Sequence, residues 1–486
     1  MSASRAWAAA AGTLALAASS SAALAPPGTS LQRAIDRVFD RPAFAPGLWA
    51  AEIRSLKTGR ILYARNAEKN VKPASTAKLV ATAAALDAFG PDDRLRTTVE
   101  TAGRLDGLGR VLGDVYLVGR GDPNLSGRFT EGRVTAAFEE LAEALKAQGV
   151  RRIEGRLVGH EGLFKGDRRG DDWAWGDLVW WYGAEVSALA FNDNSADLKI
   201  TPGERVGDPV LVERNPPSSY YRVVSTATTS PASMASDLRL DRPLGSNLIR
   251  ISGTYPLGLA PWQNSVALED PARYAATVFG EVLAARGIVV AGSVETSSDP
   301  LPAGVRVLAT HDGPPLSEVL KAVNKPSQNL HAEMLLRLLG ARLKGDGSVE
   351  SGHAAAEEFL LRAGVHPEHW SLQDGSGLSR SDILSPHEMV SLLAAMDRHR
   401  YADAFRASLP VAGVDGTLKN RMRGTPAEGR VVAKTGTLRH VNALAGYLNT
   451  RSGERLVFYL ASNHNTVPGA EVTGAIDDVC NLLVGR

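Results

Sequence analysis

The chain has 486 residues, enough for roughly two to four domains. Its 54 basic and 53 acidic side chains give a net charge of +1, which offers no electrostatic basis for binding nucleic acid. The single cysteine, Cys480, excludes an intrachain disulfide and is predicted to pack in the core from a terminal helix. The sequence contains no G-x-S-x-G, H-E-x-x-H, Walker A or paired C-x-x-C motif, and no metal or organic cofactor is predicted.

Residues 1–25 have the pattern of a secretory signal peptide. Arg5 forms the basic region, Trp7 to Ala18 form a weakly apolar run, and a small-residue cleavage zone ends at Ala25. The alternative is a disordered Ala/Ser tail. No stretch is long and apolar enough for a bilayer span, and no lipid-attachment cysteine is present. The pattern therefore predicts an exported protein without a stable membrane anchor.

An Ala-rich helix is predicted from Pro73 to Gly90, with Gly90 as its C-cap. Ser75 and Lys78 are three residues apart near its start and share one face, so the lysine can reach the serine hydroxyl. A serine nucleophile needs a base, and lysine can serve when burial or a second cation lowers its pKa. Unpaired N–H groups at the helix start would favour an oxyanion. Taken alone, the segment also fits an N-cap serine beside a solvated lysine.

The middle of the chain indicates inserted β-rich structure. Residues 97 to about 200 contain short alternating runs typical of half-buried strands. Residues 201–265 are rich in Pro, Ser and Thr and predict an all-β module, after which helical periodicity resumes at Pro271. About 250 residues thus separate Ser75 from the next motif.

That motif is Ser-Gln-Asn at residues 327–329, in a loop between helical patterns at 316–323 and 330–339. A hydroxyl and an amide on one loop can both point into a cleft. Ser327 is a candidate proton relay to a leaving nitrogen, and Asn329 is a candidate partner for a substrate amide. The alternative is ordinary helix capping by either side chain.

A third motif, Lys-Thr-Gly at residues 434–436, follows an apolar run and precedes two further predicted antiparallel strands. On an edge strand, Lys434 and Thr435 could bind a carboxylate, and Gly436 would allow close approach of a substrate backbone. The backbone N–H of Thr437 could complete an oxyanion hole with that of Ser75. The alternative is a strand-terminal lysine on a solvated face.

The three motifs, in this order, match the serine acyl-transfer set of penicillin-binding proteins and class A β-lactamases. The chain resembles the penicillin-binding DD-peptidases, within them the low-molecular-mass class C, type-4 subgroup, over nearly all of its length after residue 30. Further segments carry the resemblance, at residues 119–125, 181–194, 374–380 and 409–418.

The resemblance implies an α+β fold with a β-lactamase/DD-peptidase-like catalytic domain, an antiparallel sheet with helical clusters, formed by residues 30–96 and 310–486. It also implies two inserted, mostly β domains: domain II at 97–200 and 266–309, and domain III at 201–265. The implied function is that of a serine D-alanyl-D-alanine carboxypeptidase or endopeptidase of the bacterial periplasm. Such a hydrolase cleaves peptidoglycan stem peptides or cross-links through an acyl-enzyme on Ser75, which β-lactams also acylate.

Two further substrate-binding residues are implied by the same resemblance. Glu161 stands where the subgroup usually has an aspartate that holds the cationic end of the stem peptide, and Arg380 would bind the carboxylate at that end. Exposed polar positions without function are the alternative for both. His160, beside Glu161, would make the charge of this pocket depend on pH near neutrality.

Three rival functions remain at this stage: a β-lactamase, an esterase of the same fold, and a non-catalytic wall-binding scaffold. The long insertion argues against a β-lactamase, and the intact set of motifs argues against a scaffold. The balance between carboxypeptidase and endopeptidase, the diamino acid of the stem peptide and the oligomeric state are open.

Overall fold

The structure is a computed structural model that describes residues 29–366 and 369–486. The predicted signal peptide at residues 1–25 lies outside the described residues. The described helices, in chain order, are α1 Ser30–Phe39, α2 Lys78–Phe89, α3 Ala136–Ala147, α4 Pro271–Ala285, α5 Leu316–Asn324, α6 Asn329–Lys344, α7 Val349–Arg362, α8 Pro386–Asp397, α9 Ala402–Ser408 and α10 Gly469–Val484.

Most of the described strands are short, and only β1, β3, β19, β20, β21 and β22 have eight residues or more. They are β1 Leu48–Ser55, β2 Ile61–Arg65, β3 Arg94–Thr101, β4 Arg104–Leu105, β5 Arg110–Leu112, β6 Val115–Gly119, β7 Arg152–Ile153, β8 Leu157–His160, β9 Ser195–Thr201, β10 Leu211–Asn215, β11 Arg222–Ser225, β12 Thr228–Ser230, β13 Arg239–Asp241, β14 Leu248–Ser252, β15 Thr254–Pro256, β16 Trp262–Ala267, β17 Val289–Val290, β18 Val294–Ser297, β19 Arg306–Pro315, β20 Val431–Leu438, β21 Val441–Asn449 and β22 Arg455–Asn463.

A five-stranded antiparallel sheet, in the order β2-β1-β22-β21-β20, joins the two ends of the chain. The side chains of β22 alternate between its faces, as a strand requires. Leu456, Phe458 and Leu460 pack with α1 and α10, where Cys480 is also buried as predicted. Val457 and Tyr459 pack on the other face with α2 and α8. The predicted α+β class, an antiparallel sheet between helical clusters, is confirmed.

Helix α2 lies in the middle of the larger helical cluster, and its first nine residues are all buried. It contacts α5, α6 and α7, so the α2 start is fixed by apolar packing on several sides. This central position explains the Ala-rich sequence, because small side chains let neighbouring helices approach closely.

The middle of the chain is connected to the first and last parts through two strands that lie side by side. Strand β3 pairs antiparallel with β19, from Arg94 opposite Pro315 to Thr101 opposite Arg306. These strands belong to a second, mixed sheet in the order β18-β8-β6-β3-β19, against which α3 and α4 pack. Beyond it, three small sheets contain β9 to β16.

Candidate active site

Ser75 lies on a short turn immediately before α2. Residues Ala74–Ala77 form a 3₁₀ turn, where the sequence predicted the first turn of an α-helix. Ala74 has φ +47°, a left-handed conformation that is uncommon for residues with a side chain. Gly377 packs on this residue so closely that a Cβ atom would lie 2.0 Å from the Ala74 carbonyl oxygen. The turn is thus held by an adjoining loop and presents Ser75 half-buried.

Lys78 is fully buried and connects three separate elements of the site. Its Nζ lies 2.9 Å from Ser75 Oγ, 2.7 Å from Asn329 Oδ1 and 2.6 Å from the Ser376 carbonyl oxygen. Burial lowers the pKa of Lys78 to about 8, although the nearby carboxylates of Asp374, Glu333 and Asp382 act in the opposite direction. A substantial fraction of this amine is therefore neutral near physiological pH.

Lys434 is a second buried lysine on the opposite side of the site. Its Nζ donates to Ser327 Oγ at 2.7 Å and to the Thr435 carbonyl oxygen at 2.9 Å. Burial and the positive charge of Lys78 hold the pKa of Lys434 well below its ordinary value. The Thr435 hydroxyl pairs with that of Thr417 at 2.7 Å.

Strand β20 carries the Lys-Thr-Gly motif inside the strand, not after it, and forms the edge of the central sheet. Its free side lies against the Ser75 turn: a Cβ atom on Gly436 would lie 2.5 Å from the Pro73 carbonyl oxygen and 3.3 Å from the Ser75 nitrogen. Glycine is therefore required here for close approach of the Ser75 turn, whereas the sequence predicted close approach of a substrate backbone. Thr437 follows, exposed, opposite Asn442 of β21.

The Asn329 side chain is engaged at both ends. Its Oδ1 accepts from Lys78, and its Nδ2 donates to the Tyr182 carbonyl oxygen at 2.7 Å. The predicted contact with a substrate amide would require one of these bonds to be exchanged. In the free protein the side chain orients Lys78.

Three buried carboxyl groups lie behind Lys78, and the sequence analysis did not assign them a role. Glu333 accepts from the backbone N–H groups of Ser376 and Gly375, at 2.8 and 3.1 Å. Burial, together with the Asp374 charge, raises the pKa of Glu333 to about 7 and that of Asp382 to about 10. The sequence does contain one indication of a role for Glu333, because it is an acidic residue within the apolar run of α6. A buried carboxylate is costly unless it is hydrogen-bonded or paired.

Arg380 and Glu161 differ in how closely the structure connects them to the residues around Ser75. Arg380 faces Asp177 at 3.5 Å, and both charges act on Tyr182, whose carbonyl binds Asn329. Glu161 accepts from Ser187 at 2.6 Å and pairs with Arg168. The negative charge of Glu161 is therefore already paired with Arg168 in the free protein.

His160, which precedes Glu161, is also buried, and its Nε2 lies 2.8 Å from the Asp299 carbonyl oxygen. The described residues contain no group of three or more His, Cys, Asp or Glu side chains arranged to hold a metal ion. Within the same ranges, none of the helices is both long and apolar enough to cross a membrane.

The fold is similar to that of solved penicillin-binding proteins. The crystal structure of penicillin binding protein 4 (dacB) from Haemophilus influenzae superposes with a TM-score of 0.80 at 24% identity, covering 92% of this chain and 97% of that one. A second structure of that protein, complexed with a β-lactam, gives a TM-score of 0.76 at 22% identity over 94% and 100% of the two chains. These two similarities show that the chain has the fold of a penicillin-binding protein.

Sequence comparison defines the family. Residues 31–481 match the model of the D-Ala-D-Ala carboxypeptidase 3 (S13) family, and the chain belongs to that family. It is 36% identical over 452 residues to the D-alanyl-D-alanine carboxypeptidase of Actinomadura sp. (strain R39), covering 90% of this chain and 82% of the relative. It is 27% identical to D-alanyl-D-alanine carboxypeptidase DacB of Haemophilus influenzae, over 83% of each chain. The predicted class of enzyme, a serine-type D-Ala-D-Ala carboxypeptidase, is confirmed.

Proposed function

We propose that this enzyme hydrolyses peptidoglycan stem peptides ending in D-Ala-D-Ala through an acyl-enzyme on Ser75, and that β-lactams acylate the same oxygen. The observation that carries the proposal is the 2.9 Å contact between Ser75 Oγ and a buried Lys78 whose pKa is lowered to about 8. A hydroxyl beside a neutral amine is an activated nucleophile.

In the acylation step, Ser75 Oγ attacks the carbonyl carbon between the two D-alanines while Lys78 takes the hydroxyl proton. The backbone N–H groups of Ser75 and Thr437 stabilise the oxyanion, a role supported by the close approach of β20 to the turn. The C–N bond then breaks, and the departing nitrogen receives through Ser327 the proton that Lys78 took from Ser75. Water finally hydrolyses the ester and regenerates the Ser75 hydroxyl.

Lys434 and Thr435 would hold the terminal carboxylate of the substrate. The free Lys434 amine is depressed in pKa by burial and by Lys78. An arriving carboxylate favours its protonated form, because an adjacent opposite charge stabilises an ammonium group. Gly436 would contribute by letting β20 lie close against the Ser75 turn, where a side chain would collide with the Pro73 carbonyl oxygen. Asn329 orients Lys78 and becomes free for the substrate amide only if its bond to Tyr182 or Lys78 is exchanged.

The stem-peptide side chain would meet Arg380 and Glu161. The position of Arg380 beside Asp177 and Tyr182 supports a role at the Asn329 side of the cleft. Glu161 would have to exchange its pairing with Arg168 for the cationic end of the peptide. Glu161→Gln should therefore raise KM for peptides with a free side-chain amine more than for acetylated ones.

The chain would act in the bacterial cell envelope, exported by residues 1–25. We propose a catalytic domain at 30–96 and 310–486, with domain II at 97–200 and 266–309 and domain III at 201–265. The inserted region has a hydrophobic cluster of its own, which supports this division, although one stretch of domain II packs with the larger catalytic cluster through Phe164, Trp173, Leu178, Val186, Ala188 and Ala190. Strand β9 pairs with both β10 and β16, so the 200/201 and 265/266 boundaries cross one small sheet.

The test is release of D-alanine from an N-acylated peptide ending in D-Ala-D-Ala, with purified protein lacking residues 1–25. Wild-type protein should release D-alanine and Ser75→Ala should not. Ser230→Ala, at a buried serine of β12 in the inserted region whose hydroxyl makes no hydrogen bond within the described residues, is the matched control and should retain activity. Hydrolysis of simple esters without D-alanine release would favour the esterase, and release by Ser75→Ala would overturn the proposal.

A further inference from the structure

Residues 409–418, one of the segments that carry the resemblance, run beside the strand that holds the Lys-Thr-Gly motif. Val411 forms an antiparallel bridge with Val432 of β20. The Ala433 N–H then donates to the Pro410 carbonyl oxygen at 2.9 Å. The segment therefore accompanies β20 as far as the residue that precedes the motif.

The Asp415 carboxylate holds the turn that follows. One of its oxygens accepts from the Val411 N–H at 2.9 Å, and the other accepts from Lys325 Nζ at 2.5 Å. Lys325 Nζ also donates to the Leu409 carbonyl oxygen at 3.0 Å. Because Lys325 lies just before Ser327 in the chain, the turn is joined to the Ser-Gln-Asn loop as well as to β20.

Main-chain contacts fix the position of Thr417 at the end of this turn. Gly416 has φ +57°, and a Cβ atom there would lie 2.7 Å from the Lys325 carbonyl oxygen, so the close approach requires glycine. The same oxygen accepts from the Thr417 N–H at 2.9 Å. The place of Thr417 relative to the site is thus set by the chain that leads into the Ser-Gln-Asn motif.

The Thr417 side chain contacts the Lys-Thr-Gly motif directly. Its hydroxyl lies 2.7 Å from the Thr435 hydroxyl, the ordinary length of a hydrogen bond between two hydroxyls. Thr417 is exposed, whereas only 9% of Thr435 is exposed. Each hydroxyl can donate one hydrogen and also accept, so either can be the donor in the free protein.

A carboxylate bound to Thr435 would fix the direction of this hydrogen bond. An ionised carboxylate only accepts hydrogen bonds, so the Thr435 hydrogen would have to point toward it. Thr435 Oγ1 could then take part in the contact with Thr417 only as an acceptor, and the Thr417 hydroxyl would be the donor. Hydroxyls linked in this way polarise one another, which strengthens the bond to the anion.

We propose that Thr417 is a positioning residue for the substrate carboxylate: it donates to Thr435 Oγ1 and so directs the Thr435 hydrogen toward that group. Thr417 thereby contributes to the preference of the enzyme for ligands with a free carboxylate over ligands in which the carboxylate is esterified. This inference rests on the proposed function, in which Lys434 and Thr435 hold the terminal carboxylate.

Acylation by benzylpenicillin and by its methyl ester tests the proposal, because the ester lacks the charged carboxylate. Time-resolved intact-mass measurement gives the second-order rate constant for wild type and for Thr417→Val. The variant should lose about tenfold with the free acid and stay within about twofold of wild type with the ester. An unchanged constant with the free acid, or equal losses with acid and ester, would overturn the proposal.

Thr417→Ser separates the hydroxyl from the rest of the side chain. Serine keeps a hydroxyl that can donate to Thr435, so this variant should be acylated at the wild-type rate by both ligands. A loss with the free acid as large as that of Thr417→Val would show that the hydroxyl is not the group that matters, and would contradict the positioning role.

A double-mutant cycle tests whether Thr417 acts through Thr435. The free-acid rate constant is compared for Thr417→Val, Thr435→Val and the double variant. Because the effect of Thr417 runs through the Thr435 hydroxyl, the double variant should lose little more than Thr435→Val alone. Independent, multiplicative losses would show that Thr417 acts without Thr435 and would contradict the proposal.

Thr425→Val is the matched control. Thr425 lies in the same connection between α9 and β20, but its hydroxyl donates to the Met422 carbonyl oxygen at 2.7 Å. Both rate constants should stay within about twofold of wild type. A selective loss with the free acid equal to that of Thr417→Val would show a general effect of altering this connection and would contradict the proposal.

Wild type itself separates this inference from the function on which it rests. Failure of both ligands to acylate wild type would refute the Ser75 function. Equal rate constants for acid and ester in wild type would leave the Ser75 function standing but refute the carboxylate site, and the role of Thr417 with it.

Discussion

At the residue scale, Lys78 and Lys434 are both buried but have different neighbours, and this difference suits them to different roles in the proposed reaction. Lys78 lies among hydrogen-bond acceptors and carboxylates, which partly offset the effect of burial on its pKa. Lys434 is buried beside the positive charge of Lys78, and both effects hold its pKa well below the ordinary value. Lys78 is thus suited to exchange a proton with Ser75, and Lys434 is suited to gain charge when a carboxylate arrives.

The rate of acylation by a β-lactam should rise with pH and reach half of its maximum near the pKa of Lys78, about 8. Only the neutral amine can accept the Ser75 proton, so the rate should fall about tenfold per pH unit well below that value. Stopped-flow acylation from about pH 6 to about pH 10 measures the profile. A rate independent of pH would contradict the assignment of Lys78 as the base. Lys78→Arg, which keeps its charge throughout, should be inactive at every pH.

Glu333→Gln should move this profile to lower pH. The Glu333 charge favours the protonated form of Lys78, and its removal lowers the pKa of the lysine. The amide oxygen can still accept from the Ser376 N–H, so the loop that binds Lys78 is retained. We expect a shift of about one pH unit or less, with little change in the maximum rate. An unchanged midpoint, or a shift to higher pH, would show that Glu333 does not act on Lys78.

Ser75, Lys78, Lys434 and the Ser-Gln-Asn motif could be proposed as site residues from the sequence because each belongs to a short contiguous pattern. Helix geometry alone brings Ser75 and Lys78 within reach of each other. Glu333 could not be assigned in this way, because its partners at 375 and 376 are more than 40 residues away and meet it only through packing. Main-chain acceptors such as the Ser376 carbonyl leave no trace in residue identity.

At the element scale, the loop at residues 374–379 supports both the Ser75 turn and Lys78. The Asp374 carboxylate accepts from the N–H groups of Gly377 and Ser379 at 2.6 and 2.7 Å and from Trp173 Nε1 at 2.9 Å. A single carboxylate therefore organises the loop and binds it to the segment that bears Trp173. The sequence predicted the helices on either side, but the conformation of this loop depends on bonds between distant segments.

Gly377→Ala should disable acylation with the chain still folded. Gly377 has φ +76°, and an added Cβ would lie 2.0 Å from the Ala74 carbonyl oxygen, so the Ser75 turn would have to move. A displacement of about 1 Å is enough to cost about a hundredfold in rate. Fluorescent-penicillin labelling measures the rate, and circular dichroism checks the fold. Gly364→Ala has a similar φ of +74° but open space around it, and should acylate at the wild-type rate.

Relative to wild type, Asp382→Asn should become progressively more stable to unfolding as pH rises. The folded-state pKa of Asp382 is raised to about 10 by burial and by Asp374, so the protonated form favours folding. That contribution is complete below the unfolded pKa of about 3.9 and is lost as pH rises toward 10. An amide has no proton to lose, so the variant should gain about 1 kcal/mol over wild type per pH unit in this window.

Urea unfolding at about pH 6 and about pH 8.5 measures this difference. Asp374→Asn provides the contrast, because it weakens an acceptor of several N–H groups and should destabilise at both pH values. A constant difference between Asp382→Asn and wild type would contradict the protonated state assigned to Asp382.

At the scale of the whole molecule, the chain inserts a long β-rich segment through two paired strands, β3 and β19. Because entry and exit are adjacent, the insertion leaves the central sheet and its helices intact. Hydrophobic periodicity and turn composition were enough to predict a β-rich middle and three consecutive antiparallel strands near the end of the chain, whereas the inserted domains and the complete catalytic sheet were expected from the family resemblance. The contact of residues 181–194 with the Ser-Gln-Asn motif could not be predicted, because it joins segments more than 130 residues apart.

The most direct test of the account is intact-mass measurement after incubation with penicillin, for protein lacking residues 1–25 and for its Ser75→Ala variant. We predict one persistent penicilloyl adduct on wild type and none on the variant, since Ser75 Oγ is the group beside Lys78. An unmodified wild type with intact antibiotic would favour the scaffold, and an unmodified wild type with rapid hydrolysis would favour a β-lactamase. An adduct on Ser75→Ala would place the nucleophile elsewhere and contradict the central claim.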